Sequence, residues 1–173
     1  MAGFNQNDFN QHRFGLNYAE GDNAYEDGES EVFSADYAYT WRENGLEPGG
    51  KSITAGAEFF HRNVTYEAGE DASHTGWMVF AGYELNEKWR FDLRYDRINE
   101  VEAGLHGDPL DPEYEFAVHG RERYSIAATR AIQISEDSRA HLRLQYNHDK
   151  LEEGSEDSVW LQFSYDFGPG EVR

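Results

Sequence analysis

Two neighbouring runs near the end of the sequence, residues 138–150 and 157–167, alternate between apolar and polar side chains with a period of two. In the second run Val159, Leu161 and Phe163 fall on one face, and the residues between them fall on the other. A helical period would scatter the same residues around a cylinder, so the pattern predicts two strands. Because a polar segment joins them, we expect an antiparallel hairpin with one apolar face.

Six earlier runs repeat this alternation and predict further strands. They cover residues 12–19, 31–42, 51–62, 76–85, 89–97 and 122–134. In the last of these runs Arg130 shares a face with Tyr124 and Ile126. A charged residue among apolar ones predicts a bulge or a change of register at that point.

Long and short connections alternate along the chain between the eight runs. Odd connections are long and acidic, as in AEGDNAYEDGESE, whereas even ones are short. A soluble sandwich has no reason to sort its loops this way, but an outer-membrane barrel has short turns on one side and long loops on the other. We therefore predict an all-β fold, an antiparallel up-and-down transmembrane β-barrel of eight strands. The barrel spans 12–167, with a polar lead-in over 1–11 and a tail over 168–173.

The composition excludes several classes of function. A net charge of −19 and a pI near 4.6 make nucleic acid a poor partner, because phosphate binding needs a basic surface. The absence of cysteine excludes disulfides and thiolate metal sites. The amino terminus lacks a basic region followed by an apolar segment, so no signal peptide is expected in it. A mean hydropathy of −0.86 does not argue against a barrel, whose strands need only about 10 residues with every second one apolar.

Periodicity leaves two interpretations of the apolar face open. In a membrane barrel that face points outward to lipid, and in a water-soluble barrel it points inward and binds an apolar small molecule. Charged residues of both signs at strand centres favour the membrane barrel, because a narrow lumen can pair them. Aromatic residues near the run ends are typical of interfacial girdles and favour it too. These residues are Tyr18, Trp41, Trp77, Trp89, Tyr95 and Tyr146.

The membrane interpretation divides the strand residues into two sets. The residues predicted to line the lumen are Arg13, Asp36, Glu58, Arg62, Glu84, Arg90, Asp92, Arg94, Asp96, Arg139, His141, Arg143 and Asp166. The residues predicted to face lipid are Phe33, Tyr37, Trp77, Val79, Trp89, Phe91, Leu93, Leu142, Leu144, Leu161, Phe163 and Phe167.

Within the lumen set, an arginine ladder is formed by Arg90, Arg94, Arg139 and Arg143. Such a ladder either biases passage toward anions or closes the tube with ion pairs. With eight strands the interior is just wide enough for side chains to fill, so ion-pair closure is the favoured interpretation.

Several segments also resemble a known group of proteins. LRLQYNHDK, DSVWLQFSYDFGPG and GYELNEKWRFDLRYDR resemble the carboxy-terminal hairpins of Gram-negative outer-membrane porin-like proteins, and FGLNYAEGDN and SADYAYTWREN resemble strands further upstream. The resemblance implies an antiparallel barrel in the bacterial outer membrane that passes small solutes or ions. Members of that group are longer and usually end on an aromatic residue, whereas this sequence continues with GPGEVR. These departures are typical of a trimmed or redesigned barrel.

Catalytic and metal-binding motifs are weak in this sequence. The seven histidines show no HxxH or HExxH spacing, and the acidic loop clusters lack an EF-hand pattern, so we predict no metal and no cofactor. Ser125 or Ser164 could act as a nucleophile with His141 as its base on the lumen face. No surrounding sequence motif supports this arrangement, so packing in the lumen is the favoured interpretation. The expected partners are a lipid bilayer or detergent and small solutes or ions, and we predict no enzymatic activity.

Overall fold

The computed structural model of the chain describes residues 2–22, 29–65, 71–99, 102–103, 120–135, 138–152 and 154–166. All regular structure in these ranges is β-strand. The strands are β1 (Ala2–Asn7), β2 (Asn10–Asp22), β3 (Glu29–Arg42), β4 (Ser52–Thr65), β5 (Asp71–Asn86), β6 (Trp89–Ile98), β7 (Glu102–Ala103), β8 (Arg121–Ser135), β9 (Ser138–Leu151) and β10 (Gly154–Asp166). No helix in the described ranges is long and apolar enough to cross a membrane.

The strands form one antiparallel sheet in which chain neighbours are also sheet neighbours. Its order is β1-β2-β3-β4-β5-β6-β8-β9-β10, and the two-residue β7 pairs with β5. This confirms the predicted all-β, antiparallel, up-and-down fold, and the eight predicted runs correspond to β2 to β6 and β8 to β10. In the described part of the chain β1 and β10 are the edges of the sheet, so closure into a barrel stays a prediction.

The segment predicted as a polar lead-in contains β1. This short strand pairs with β2 from Ala2 opposite Phe14 to Asn7 opposite Asn10. The turn between the two strands is stabilised locally, because the Asn7 Oδ1 accepts hydrogen bonds from the backbone N–H of Phe9 at 3.0 Å and from the Asn10 side chain at 2.8 Å. A hairpin therefore precedes the first predicted run.

The predicted bulge near Arg130 is wrong. Arg130 pairs with Trp89 on one side and Leu142 on the other, and the register of β8 against β9 is regular from Glu122 to Gln133. The register shifts only beyond Gln133, at the turn into β9. Arg130 thus stays on the same face as the apolar residues.

Burial alternates along the strands, and the large apolar side chains are on the more exposed face. Leu93 and Leu144 are 57 % and 54 % exposed, whereas the residues buried in the described ranges are small or polar, such as Ala127 at 4 % and Asn147 at 2 %. We call the apolar side the outer face and the opposite side the polar face. The sheet has no core of large apolar side chains in its described part.

Candidate functional site

The polar face carries the residues predicted to line a lumen. Strand alternation places all of them on this face. The half-buried members are Asp36, Glu58, Glu84, Arg90, Asp92, Asp96, His141 and Arg143. The exposed members are Arg13, Arg62, Arg94, Arg139 and Asp166.

An ion-pair network on this face joins three strands. The Arg90 guanidinium donates to Asp92 at 2.8 Å and to Glu84 at 3.1 Å. The Arg143 guanidinium on β9 reaches across β8 and donates to the second oxygen of Asp92 at 2.8 Å. It can do so because the intervening β8 residue in the row of Asp92 is the small, buried Ala127. Two members of the arginine ladder, Arg90 and Arg143, are therefore neutralised by the Asp92 carboxylate that they share.

The other two members of the ladder, Arg94 and Arg139, have different hydrogen-bond partners. Arg94 Nε donates to Asp96 two residues away at 2.7 Å. Arg139 Nε donates to the neutral Gln133 side chain at 2.9 Å, while the nearby His141 Nε2 is 3.2 Å from the Asp166 carboxylate. Among the described residues, the ladder is thus ion-paired at Arg90, Arg94 and Arg143.

A second cluster lies at the end of the sheet where the long connections leave it, and sequence reasoning missed it. The Asp149 carboxylate accepts hydrogen bonds from Arg123 at 2.7 Å and from Arg121 at 3.0 Å, and its side chain is 6 % exposed. The hydrogen bonds from Arg123 and Arg121 hold the pKa of Asp149 below its usual value, although burial acts in the opposite direction. The period of two in NHDK and RERY was the signal that places these residues on the polar face.

The two clusters border a cavity of about 330 Å³. Its charged lining consists of Asp92, Arg94, Asp96, Arg121, Arg123 and Arg143. Most of these groups are already paired with each other, so the cavity is a polar space whose charge is largely balanced within the sheet.

The remaining predicted lumen residues are not brought into this network. Asp36 lies opposite Glu58 in the β3–β4 register, and one Asp36 oxygen is buried without a hydrogen-bond partner in the described structure. Arg62 donates to the Ser30 hydroxyl at 3.2 Å. Arg13 lies on the row of Ala38, away from the arginine ladder.

Of the residues considered for a nucleophile and its base, the described structure shows no hydrogen bond between a serine and His141, whose Nε2 lies beside the Asp166 carboxylate. Ser164 lies opposite His141 in the register, whereas Ser125 lies opposite Asn147, further along β9. In the described ranges no group of three or more metal-ligating side chains comes together. Chemically, the polar face offers paired charges and hydrogen-bond donors.

The outer face carries the residues predicted to contact lipid. Those that are exposed are Phe33, Tyr37, Val79, Trp89, Phe91, Leu93, Leu142, Leu144, Leu161 and Phe163. Trp77 is half-buried, with its ring 5.1 Å from that of Tyr95. Phe167 lies outside the described residues.

Seven consecutive long strands each carry an outer-face aromatic side chain at a similar level of the sheet. In β4 and β5 this residue is near the middle of the strand, and in the other five it is nearer the end where the long connections leave the sheet. We call this set the aromatic row. It consists of Tyr18, Phe33, Phe59, Trp77, Tyr95, Tyr124 and Tyr146. Rings of the row are close on β5, β6 and β8, with 5.1 Å between the centroids of Trp77 and Tyr95 and 4.8 Å between those of Tyr95 and Tyr124. Sequence reasoning had found part of this row but had missed Phe33, Phe59 and Tyr124.

Three of the four tyrosines in the aromatic row donate hydrogen bonds to carboxylates that lie just beyond it. The Tyr18 hydroxyl donates to Glu20 at 2.7 Å, and the Tyr146 hydroxyl donates to Asp157 at 2.7 Å. The Tyr124 hydroxyl donates to Glu122 at 3.2 Å. The row therefore separates an apolar belt on the outer face from a rim of charged groups.

Comparisons of the chain with protein-family models, with curated proteins and with solved structures found no match. The function is therefore inferred from the geometry of the outer face and the polar face.

Proposed function

We propose that the chain is a porin-like β-barrel of the bacterial outer membrane, with its outer face against lipid and its polar face around a narrow lumen. The aromatic row is the observation that carries this proposal. Amphipathic rings that turn their hydroxyls toward carboxylates are what a boundary between hydrocarbon and water requires. On a surface wholly in water, one aromatic residue per strand at one level would have no such function.

The exposure of the outer face supports the same conclusion. An extensive exposed surface of large apolar side chains is costly in water and is typical of an interaction with membrane or protein. In a membrane the spanning stretches would be those between the aromatic row and the turns, such as 124–134 in β8 and 140–146 in β9. A water-soluble barrel with an apolar interior would instead require these side chains on the less exposed face.

The ion pairs of the polar face suggest a small or closed passage. Asp92 is shared by Arg90 and Arg143, so the groups that would attract a permeating ion already bind one another. Passage would then be limited to small solutes or ions at most. We propose no catalytic activity for this face.

Tryptophan quenching in lipid vesicles tests the direction of the two faces. Trp77 is on the outer face, whereas Trp160 is on the polar face, where its indole N–H donates to Ser158 at 3.2 Å. Variants that retain only Trp77 or only Trp160, with the other tryptophans changed to Phe, would be inserted into vesicles with brominated acyl chains. We expect strong quenching of Trp77 by the bromines, and quenching of Trp160 by acrylamide in water.

The opposite result would overturn the proposal. A detergent-free monomer in which vesicles leave Trp77 unquenched would indicate the water-soluble barrel. Bromine quenching of Trp160 that equals or exceeds that of Trp77 would show that the faces are reversed.

A further inference from the structure

Arg130 is a cation on the outer face, among side chains that are otherwise apolar. It lies between Ala128 and Ile132 on that face of β8 and is exposed. Its guanidinium carbon is 5.5 Å from the centre of the Trp89 ring, a cation–π contact. In the described structure no carboxylate pairs with it.

The position of Trp89 places this pair near the turn side of the sheet. Trp89 is the first residue of β6, directly after the turn at Glu87 and Lys88. The backbone N–H of Ala131 donates to the Lys88 carbonyl at 2.8 Å, so the turn lies against β8 beside Arg130. Lys88 is exposed and adds a second positive charge to this corner.

The acid in the same turn is directed elsewhere. A side-chain carbon at Gly49 would lie 3.2 Å from the Glu87 carboxylate, so Glu87 reaches toward the turn between β3 and β4. Arg130 therefore faces an apolar surface, and no carboxylate in the described part of the sheet compensates its charge. A long arginine side chain can place its charged end at the membrane surface while its methylenes remain in hydrocarbon.

On the basis of the proposed membrane insertion, we propose that Arg130 and Trp89 bind the phosphate diester of a phospholipid headgroup at the turn-side surface of the bilayer. The planar guanidinium presents paired donors that match two phosphate oxygens. The Trp89 ring stacks against the guanidinium and fixes its orientation, and tryptophan itself is favoured at the membrane interface. Lys88 increases the attraction of the corner for a negatively charged headgroup.

Quenching of Trp89 by a headgroup label tests this site. A variant that retains only Trp89 would be inserted into phosphatidylglycerol vesicles doped with a phospholipid that carries a nitroxide on its headgroup. Loss of one interfacial cation should weaken lipid association about fivefold, so we expect Arg130→Gln to reduce the quenching of Trp89. Arg130→Lys, which keeps the charge but not the paired donors, should give an intermediate value.

Lys150→Gln provides a matched control. Lys150 makes a similar contact, 5.4 Å from the Tyr124 ring, but at the opposite boundary of the outer face. This variant should leave Trp89 quenching unchanged. Equal quenching of Trp89 in the parent protein and in Arg130→Gln would overturn the proposal.

Two further arms separate the possible sources of failure. Inorganic phosphate added to the protein in maltoside micelles should leave Trp89 emission unchanged, and a change that Arg130→Gln abolishes would assign the site to free phosphate instead. Bromine quenching of Trp77, measured after the same substitutions are made in the variant that retains only Trp77, reports insertion. If insertion fails, the proposed function fails; if it succeeds without an effect of Arg130, only the headgroup site is wrong.

Discussion

Two glycines of the polar face lie beneath phenylalanine rings from the neighbouring strand. Gly56 is the register partner of Phe80, and Gly76 is the register partner of Phe60. A side-chain carbon at Gly56 would lie 2.7 Å from the Phe80 ring, and one at Gly76 would clash with the Phe60 ring. The rings thus occupy the space that the glycines leave open, and small residues take the place of a conventional core on this face.

Gly56→Ala should destabilise the protein by about 1–3 kcal/mol, because the added methyl group forces the Phe80 ring and the adjacent backbone apart. Gly21→Ala is the control, since a side-chain carbon there would meet nothing within 4 Å. The free energy of unfolding in detergent, from urea titrations followed by tryptophan fluorescence, would measure both. Equal stability of the two variants would contradict the packing described here.

Asp149→Asn tests the cluster at the loop end of the sheet. The substitution keeps the shape of the side chain but removes the charge that Arg121 and Arg123 share. Because the two arginines are partly exposed, we expect a loss of about 1–2 kcal/mol, below the cost of stranding a fully buried charge. Asp157→Asn is the control, since the Asp157 side chain is 63 % exposed and should matter little. The same urea titrations measure the free energy of unfolding. An unchanged value in Asp149→Asn would show that the cluster does not stabilise the protein.

The lowered pKa of Asp149 also predicts how stability depends on pH. A carboxyl group with a lower pKa in the folded state stabilises the protein above its unfolded pKa of about 3.9 and ceases to do so as the pH falls through its folded value. The parent protein should therefore lose stability below about pH 4 more steeply than Asp149→Asn. Unfolding titrations of both proteins at a series of acidic pH values would measure the difference. Parallel curves would show that the carboxyl group titrates normally.

At the scale of the strands, most of the fold could be predicted from the alternation of apolar and polar side chains with a period of two. It placed all eight long strands within a few residues of their bounds, because every second side chain must satisfy a different environment. It could not reveal β1, whose hairpin depends on a side-chain turn at Asn7. Nor could it show that Arg123 and Asp149 meet, since that contact depends on the register between β8 and β9.

The ion pairs of the arginine ladder on β6 and β9 predict the conductance of the proposed lumen. If ion pairs close it, the double variant Arg94→Ala and Arg143→Ala should raise single-channel conductance in planar bilayers well above that of the parent protein. Arg97→Ala is the control, because Arg97 lies on the outer face and is 3.7 Å from Glu122. A parent protein that already conducts freely, with no change in the double variant, would show that the ladder lines an open pore.

At the scale of the whole molecule, the aromatic row gives the register in which the sheet could close. Tyr18 and Phe33 are direct partners, but the partner of Phe33 is His61, two residues beyond Phe59. The row thus moves two residues toward the turns between β3 and β4. It moves by the same amount between β5 and β6, where Trp77 pairs with Arg97 and not with Tyr95, and between β8 and β9, where Tyr124 pairs with His148 and not with Tyr146. A fourth step, between β10 and β2, would return the row to Tyr18 as a flat ring. The total offset would be about eight residues, a shear already known for eight parallel strands.

This closure requires a specific seam between β10 and β2. Tyr146 pairs with Val159, so the fourth step would place Leu161 opposite Tyr18 and Phe163 opposite Leu16. The edge of β2 is available for this pairing, because β1 covers only its first part, Asn10–Phe14. Strand β10 would then take the part of the edge that β1 leaves open.

A disulfide between Leu16→Cys and Phe163→Cys would test the seam, since the chain contains no cysteine of its own. Residues directly opposite in an antiparallel pair have Cα atoms about 4.5–5.5 Å apart, within the range of a disulfide. We expect mild oxidation in detergent to cross-link the monomer and change its migration on a denaturing gel. The combination of Leu16→Cys with Val159→Cys should not cross-link, because the four-residue offset adds about 13 Å along the strand. Cross-linked dimers without an intramolecular product would show that β10 pairs with another chain and that the sheet does not close on itself.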